Sequence, residues 1–169
     1  MKYIVIGAVA GGASTAARLR RMDEKADIVI FEKGEYISYA NCGLPYYIGD
    51  VIKDRNKLFV QTATSFNQRF NIDVRISTEV IAIDTNLKTI TARNLLSNTE
   101  YRESYDKLVL SPGAEPIRPP LPGIHLPGIF TLRNVADTDL IKNFVTQRSS
   151  GKAVIIGAGF IGLEMAENL

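Results

Sequence analysis

The stretch that decides the fold is YIVIGAVAGG, residues 3–12, close to the start of the chain. Its first four residues form a short apolar, β-rich run of the kind that is buried on both faces of a parallel sheet. The glycine-rich turn of residues 7–12 follows at once. Because glycine allows a tight turn and a close approach of backbone N–H groups, a strand that enters such a turn is typical of nucleotide-binding α/β proteins.

The residues after this turn complete a β-α-β unit. Residues 13–22 are rich in alanine, leucine and arginine and predict a helix, and residues 27–31 predict a second buried strand that ends at Glu32. An acidic residue at the tip of the second strand, about 20 residues past the last glycine, is the usual partner of a dinucleotide ribose. Val9 stands where the common pattern has its second glycine, so the backbone must approach the pyrophosphate differently at that point. A turn without any ligand is the alternative.

A second glycine-rich turn lies near the other end of the chain. Residues 152–156 predict a strand, Gly157-Ala158-Gly159-Phe160-Ile161-Gly162 is an intact G-x-G-x-x-G, and residues 163–169 predict a helix. A second strand with its acidic residue does not follow within the sequence. We therefore expect the chain to be a fragment of a longer enzyme.

The only cysteine lies between the two turns, in the segment SYANCGLPYY of residues 38–47. Asn41 is a good helix N-cap, and Pro45 is tolerated in a first helical turn, so we expect Cys42 at the start of a short helix. Free N–H groups and the helix dipole favour the thiolate at such a position. A reactive thiol is one interpretation, and a small buried structural residue is the other.

Composition excludes several classes of protein. The chain has 169 residues, 46% hydrophobic and 22% charged, and its net charge of +2 is too small to argue for a nucleic acid or membrane partner. It has no apolar run long enough to span a bilayer, and a strand begins too early for a signal peptide. A single cysteine rules out an internal disulfide and favours the reducing cytoplasm. His125 is the only histidine, so we expect no structural zinc site.

The middle of the chain predicts a β-meander and then a connector. Residues 64–70 predict a helix, and a buried strand at 105–110 stops at Ser111-Pro112-Gly113. Residues 115–128 hold five prolines and predict a stiff linker, followed by a strand at 129–131 and a helix at 134–147. The meander is assigned to three or four short strand signals, at residues 73–76, 79–84, 88–92 and 101–104.

Five blocks of sequence resemble the flavin-dependent pyridine nucleotide–disulfide oxidoreductases that use a single cysteine. The blocks are residues 5–12, 38–46, 105–114, 131–139 and 157–169. The likeness covers the whole chain and is strongest to the members that act on coenzyme A disulfide. Valine at the position of Val9 is usual in this group. Related NADH oxidases or peroxidases, and polysulfide or CoA-persulfide reductases, share the same blocks and remain alternatives.

The resemblance implies an α/β architecture with two Rossmann-like parts. Residues 1–114 would form an incomplete FAD-binding domain with a parallel sheet, helices and a β-meander. Residues 115–128 would be the linker, and residues 129–169 would begin a truncated NAD(P)H-binding domain. The complete enzyme is expected to be a homodimer.

The resemblance also implies binding residues. For FAD they are Gly7, Ala8, Ala10, Gly11, Gly12, Glu32, Lys33, Val80, Ser111, Pro112, Gly113 and Arg133. For NAD(P)H they are Gly157, Gly159, Phe160, Ile161 and Gly162. For coenzyme A they are Ser14, Arg18, Arg21, Ser38 and Asn41. Phe70 stands where related reductases carry a lysine for CoA, so one CoA contact differs.

The implied reaction passes electrons from NAD(P)H through FAD to Cys42. Cys42 would leave a mixed disulfide with CoA and then attack the next CoA disulfide. In an oxidase or peroxidase its oxidised form would be a sulfenic acid. We expect the fragment to be inactive alone. A non-catalytic binding module with the same fold is the competing hypothesis from a different class.

Overall fold

The computed structural model describes residues 1–148 and 151–169. The chain divides into two compact units, one made of Met1–Tyr39 with Phe59–Gly113 and the other of Ala40–Leu58 with Ala114–Leu169. The α/β class is as predicted. Within the described ranges, no helix combines the length and apolar character needed to cross a membrane.

The first unit is built on a four-stranded parallel sheet. Its strands are β1 (Lys2–Ile6), β2 (Asp27–Phe31), β3 (Asp73–Arg75) and β7 (Lys107–Leu110), in the order β3-β2-β1-β7. The sheet carries helices α1 (Gly11–Met22) and α3 (Ala63–Phe70). Val5 pairs with Ile30 on one side and with Val109 on the other, which places β1 in the centre.

Alternate residues of the central strands enter two separate cores, as the period of two in a strand requires. Val5 and Ile30 pack with the alanines of α1 and with Phe66, whereas Ile4 and Phe31 pack with Ile90 of the second sheet. Both faces of β1 and β2 are therefore covered, which explains why these strands are continuous apolar runs.

The second sheet is the predicted meander, and it has three strands. It comprises β4 (Thr78–Asp84), β5 (Thr89–Asn94) and β6 (Thr99–Ser104), antiparallel in the order β4-β5-β6. The first strand signal, at residues 73–76, was assigned to the wrong sheet. Val74 pairs in parallel with Ile30 of β2 because α3 returns the chain to the edge of the first sheet.

Arg20 joins the ends of two helices in this unit. Its guanidinium donates to five backbone carbonyls: those of Asp23, Glu24 and Ala26, which follow α1, and those of Phe70 and Asn71 at the end of α3. The carbonyls at a helix end lack partners within the helix. Arg20 therefore has a structural role, in contrast to its neighbours Arg18 and Arg21.

A cluster of charges connects the two sheets of the first unit. Glu103 on β6 accepts hydrogen bonds from Lys2 of β1 and, at 2.8 Å, from Arg75 of β3. The Arg75 guanidinium also lies 5.2 Å from the ring centroid of Phe31 and 5.6 Å from that of Tyr101. Burial by itself raises the pKa of Glu103, but its bonds to Lys2 and Arg75 and their charges outweigh burial, so the pKa lies below the ordinary 4.5.

This lowered pKa predicts a loss of stability in acid. The unfolded chain binds the proton of Glu103 at a higher pH than the folded chain, so the contribution of Glu103 is complete above pH 4.5 and is lost as the pH falls through the folded pKa. Glu103→Gln should cost about 1–2 kcal/mol at pH 7. The variant and wild-type stabilities should converge in acid. Urea unfolding across pH measures this, and a constant difference between the two curves would contradict it.

The second unit is helical. It contains α2 (Leu44–Ile48), α4 (Val135–Thr146) and α5 (Phe160–Asn168), packed around Ile48, Ile141 and Met165. The helix predicted from residue 134 has Asn134 as its N-cap: the Asn134 side chain accepts from the Asp137 N–H, and the Asp137 side chain accepts from the Asn134 N–H. This reciprocal capping box satisfies two N–H groups at the helix start.

Two predicted strands are absent from the described part of this unit. Residues 129–131 and 152–156 are apolar and rich in β-formers, yet neither run pairs with a described strand. A strand exists through the backbone ladder with a neighbour, so sequence preference alone does not form one. Val154 and Ile156 are accordingly exposed, at 85% and 94%. Residues 115–128 contain neither helix nor strand; the predicted domain boundaries themselves stay a prediction.

Candidate functional site

The first glycine turn is closely packed against the end of β7. Gly7 has φ +94°, and a Cβ there would lie 2.0 Å from the Ser111 carbonyl oxygen. A Cβ on Gly12 would lie 1.7 Å from the Gly7 carbonyl oxygen, and one on Gly11 would lie 3.2 Å from Ser111 Oγ. The structure thus brings Ser111 to the turn, as the predicted FAD site requires.

Glu32 reaches the same turn. Its carboxylate accepts a hydrogen bond from the Ala8 N–H at 2.7 Å and another from the Gly34 N–H at 2.8 Å. Each oxygen keeps a lone pair that a ribose hydroxyl can use. The neighbouring Lys33 instead forms an exposed ion pair with Glu79 at 3.0 Å. Val80 is half-buried and packs with the core that contains Phe31.

The N-terminus of α1 fits a phosphate. Its cap residue Ala10 provides no side-chain hydrogen bond, so the first N–H groups of the helix remain available to an anion. Because a Cβ at Gly7 or Gly12 would strike backbone atoms, the turn keeps this N-terminus close to the end of β1. The residues present therefore fit the pyrophosphate and ribose of a dinucleotide such as FAD.

Ser14, Arg18 and Arg21 form an exposed stripe along α1. Their spacing of four and three residues places them on one face of the helix. Among the described residues, Arg18 and Arg21 have neither an ion pair nor a hydrogen-bond partner for their guanidinium groups. Ser38, predicted with them, has φ 45° and donates its N–H to the Ala8 carbonyl at 2.9 Å. It contacts the first turn through its backbone.

Cys42 lies in the second unit, in a 3-10 turn of Asn41–Gly43 that precedes α2. The prediction that Asn41 caps the helix was wrong, because Gly43 holds the cap position of α2 and Asn41 is inside the preceding turn. The position of Pro45 in the first turn of α2 is confirmed. Cys42 is a free, exposed thiol.

The thiol lines a cavity of about 220 Å³ within this unit. Two hydrogen bonds hold Arg133 there. Its side-chain Nε donates to the Ala114 carbonyl at 2.7 Å, and its backbone N–H donates to the Asp137 carboxylate at 2.8 Å. The lining comprises Asn41, Cys42, Leu44, Pro45, Leu132, Arg133, Ile161 and Glu164. Asn41, Arg133 and Ile161 were all predicted site residues, and the cavity brings them together with the cysteine.

Glu164 was missed by the sequence reasoning. It lies three residues after Ile161 and so shares a face of α5 with it. The sequence feature that could have identified Glu164 is that it is the first carboxylate after the second glycine turn. A larger groove of about 460 Å³ on the outer face of the meander contains none of the predicted site residues.

The second glycine turn repeats the construction of the first. Gly157 has φ +109°, and a Cβ on Gly162 would lie 2.0 Å from the Gly157 carbonyl oxygen. A Cβ on Gly159 would meet open space, and Gly159 caps α5 without a side-chain bond. Phe160 is 88% exposed. This helix N-terminus is thus also available to an anion.

The described ranges contain no group of three or more His, Cys, Asp or Glu side chains that could hold a metal ion.

The chain is similar to several known proteins. The chain is 46% identical over 168 residues to a coenzyme A disulfide reductase of Staphylococcus aureus (strain JH9), covering 99% of this chain and 38% of that protein. The crystal structure of reduced Bacillus anthracis CoADR-RHD matches with a TM-score of 0.96 and 55% identity, over 99% of this chain and 30% of that one. An NAD-dependent persulfide reductase from A. fulgidus matches with a TM-score of 0.94 and 38% identity, over 99% and 31%.

The chain therefore spans less than two fifths of the length of the curated relative. The sequence model of one family, described as pyridine nucleotide-disulphide oxidoreductase, matches residues 1–169. The resemblance inferred from the five blocks is confirmed, and the chain belongs to this family.

Proposed function

We propose that the complete protein containing this chain is a flavin-dependent, NAD(P)H-using reductase of coenzyme A disulfide. The observation that carries this proposal is the exposed Cys42 beside Arg133 in an apolar-walled cavity, in a chain 46% identical to a CoA disulfide reductase. Bound FAD would supply the electrons that hydride transfer from NAD(P)H delivers. A single thiol of this kind suits a reducing cytoplasm, and we propose a homodimer.

The residues of the chain have separate roles in this proposal. The α1 N-terminus and Glu32 hold the pyrophosphate and ribose of FAD, with Lys33, Val80, Ser111-Pro112-Gly113 and Arg133 as further contacts. The second turn, residues 157–162, binds NAD(P)H. The stripe Ser14, Arg18 and Arg21, with Ser38 and Asn41, binds CoA, whose phosphates suit unpaired guanidinium groups.

Cys42 performs thiol–disulfide exchange. Its thiolate attacks one sulfur of CoA disulfide, the S–S bond breaks, and one CoA leaves as a thiolate that takes up a proton. The product on the protein is a Cys42–CoA mixed disulfide. Two electrons then cleave this disulfide, release the second CoA and restore the thiolate.

The mass of the protein as isolated tests the assignment. We expect Cys42 to carry CoA, so that intact mass falls by one CoA moiety on reduction and peptide mapping places the adduct at Cys42. A sulfenic acid on Cys42 would instead support an oxidase or peroxidase. Turnover of CoA persulfide but not CoA disulfide would support the persulfide reductase activity named for the A. fulgidus relative.

A further inference from the structure

The helix that follows the cysteine is too short to be stable alone. α2 has five residues, and its cap Gly43 provides no side-chain hydrogen bond. An isolated helix of this length does not persist in water, so tertiary contacts determine where it lies. Cys42 is in the turn directly before α2. Contacts that orient α2 therefore orient the thiol.

One such contact is apolar. Ile48, at the end of α2, is 3% exposed and packs with Ile141 of α4 and Met165 of α5. Apolar burial is non-directional and roughly proportional to area. Leu44 at the start of α2 is also buried, at 2%, so apolar packing holds both ends of the helix but supplies no directional bond to its last carbonyls.

Lys142, the residue after Ile141, supplies directional bonds. Its Nζ donates to the carbonyl oxygen of Tyr47 at 2.8 Å and to Asp50 Oδ1 at 2.8 Å, with the Ile48 carbonyl at 3.4 Å. The ammonium also lies 4.6 Å from the centroid of the Tyr47 ring, and the side chain is only 17% exposed. The Tyr47 carbonyl also accepts the backbone N–H of Asp50 at 3.3 Å, so the ammonium adds a second, charged donor that fixes the direction of this carbonyl at the end of α2.

We propose that Lys142 is a positioning residue for Cys42, acting through the C-terminal end of α2. This inference rests on the proposed function, because it concerns the exchange step that Cys42 performs. Misplacement of a reacting group by about 1 Å costs about 100-fold in rate. Loss of the Lys142 bonds should therefore slow the chemistry of the thiol while the binding of the flavin and the nicotinamide dinucleotide is unchanged.

The test separates two half-reactions of the complete, flavin-loaded protein by rapid mixing. For Lys142→Met we expect NADH to reduce the flavin at the wild-type rate. The reaction of reduced Cys42 with CoA disulfide, followed by the appearance of the mixed disulfide in quenched samples, should slow by about 10-fold to 100-fold. Lys142→Arg keeps a cation and donors near the same carbonyl and should restore most of the rate.

Lys53→Met is the matched control. Lys53 is exposed in the same unit and has no hydrogen-bond or ion-pair partner among the described residues, so the same change of charge should leave both half-reactions unaltered. An exchange rate in Lys142→Met equal to wild type would overturn the proposal. An equal loss of both half-reactions in the Met and Arg variants would also overturn it, since it indicates a general structural role. If the wild-type protein forms no mixed disulfide, the proposed function itself fails and this inference falls with it.

Discussion

Replacement of Cys42 by serine is expected to lower NADH-dependent reduction of CoA disulfide about 1,000-fold or more in the complete protein. The hydroxyl of serine does not ionise at neutral pH and cannot form the mixed disulfide, so the exchange step has no nucleophile. Cys42 is the only cysteine of the chain, and no second thiol in it could take over the attack.

The same variant provides its own internal comparison. Hydride transfer from NADH to the flavin does not involve the thiol, so stopped-flow reduction of the flavin should persist in Cys42→Ser. Steady-state turnover measures the NADH-dependent reduction of CoA disulfide, and flavin absorbance measures the reduction of the flavin by NADH. Turnover retained within a few fold of wild type would show that Cys42 is not the nucleophile and would favour the binding-module hypothesis for this segment.

Gly12→Ala should strongly destabilise the first unit. A Cβ at this position would lie 1.7 Å from the Gly7 carbonyl oxygen, a backbone atom that no side-chain rotation can move away. Relief requires α1 to move away from β1, which opens the core that contains Val5, Ala13 and Ala16. We expect a loss of about 3 kcal/mol or more.

Gly11→Ala is the matched control one residue earlier. Its Cβ would meet only the side chain of Ser111, with Oγ at 3.2 Å, and that hydroxyl can rotate. Alanine also favours the helix by up to about 1 kcal/mol over glycine. The Gly11 variant should thus remain within about 1 kcal/mol of wild type. Urea unfolding of both variants checks this, and equal midpoints would show that the turn relaxes without moving α1.

Local patterns predicted the elements whose neighbours are close in the chain. Period and turn chemistry within a few residues predicted the apolar strands β1 and β2, the two glycine turns, the alanine-rich α1 and the helix α4. The place of Glu32 also followed from sequence, because the two parallel strands of a β-α-β unit end at the same edge of the sheet, which puts the tip of β2 beside the first turn. The family assignment rested on five such blocks and is confirmed.

The tertiary structure alone decided which strands have partners and which side chains meet. β3 joins the parallel sheet rather than the meander, and the apolar runs at 129–131 and 152–156 form no strand, because a ladder needs a neighbouring edge. Glu164 joins Cys42 in one cavity, and Lys142 reaches Tyr47 from 95 positions along the chain. The sequence alone does not distinguish the arginines at positions 18, 20 and 21 of α1. The tertiary structure shows that the Arg20 guanidinium donates hydrogen bonds to five backbone carbonyls after α1 and at the end of α3. Contacts between residues so far apart depend on how whole helices and strands pack, which no short window of sequence contains.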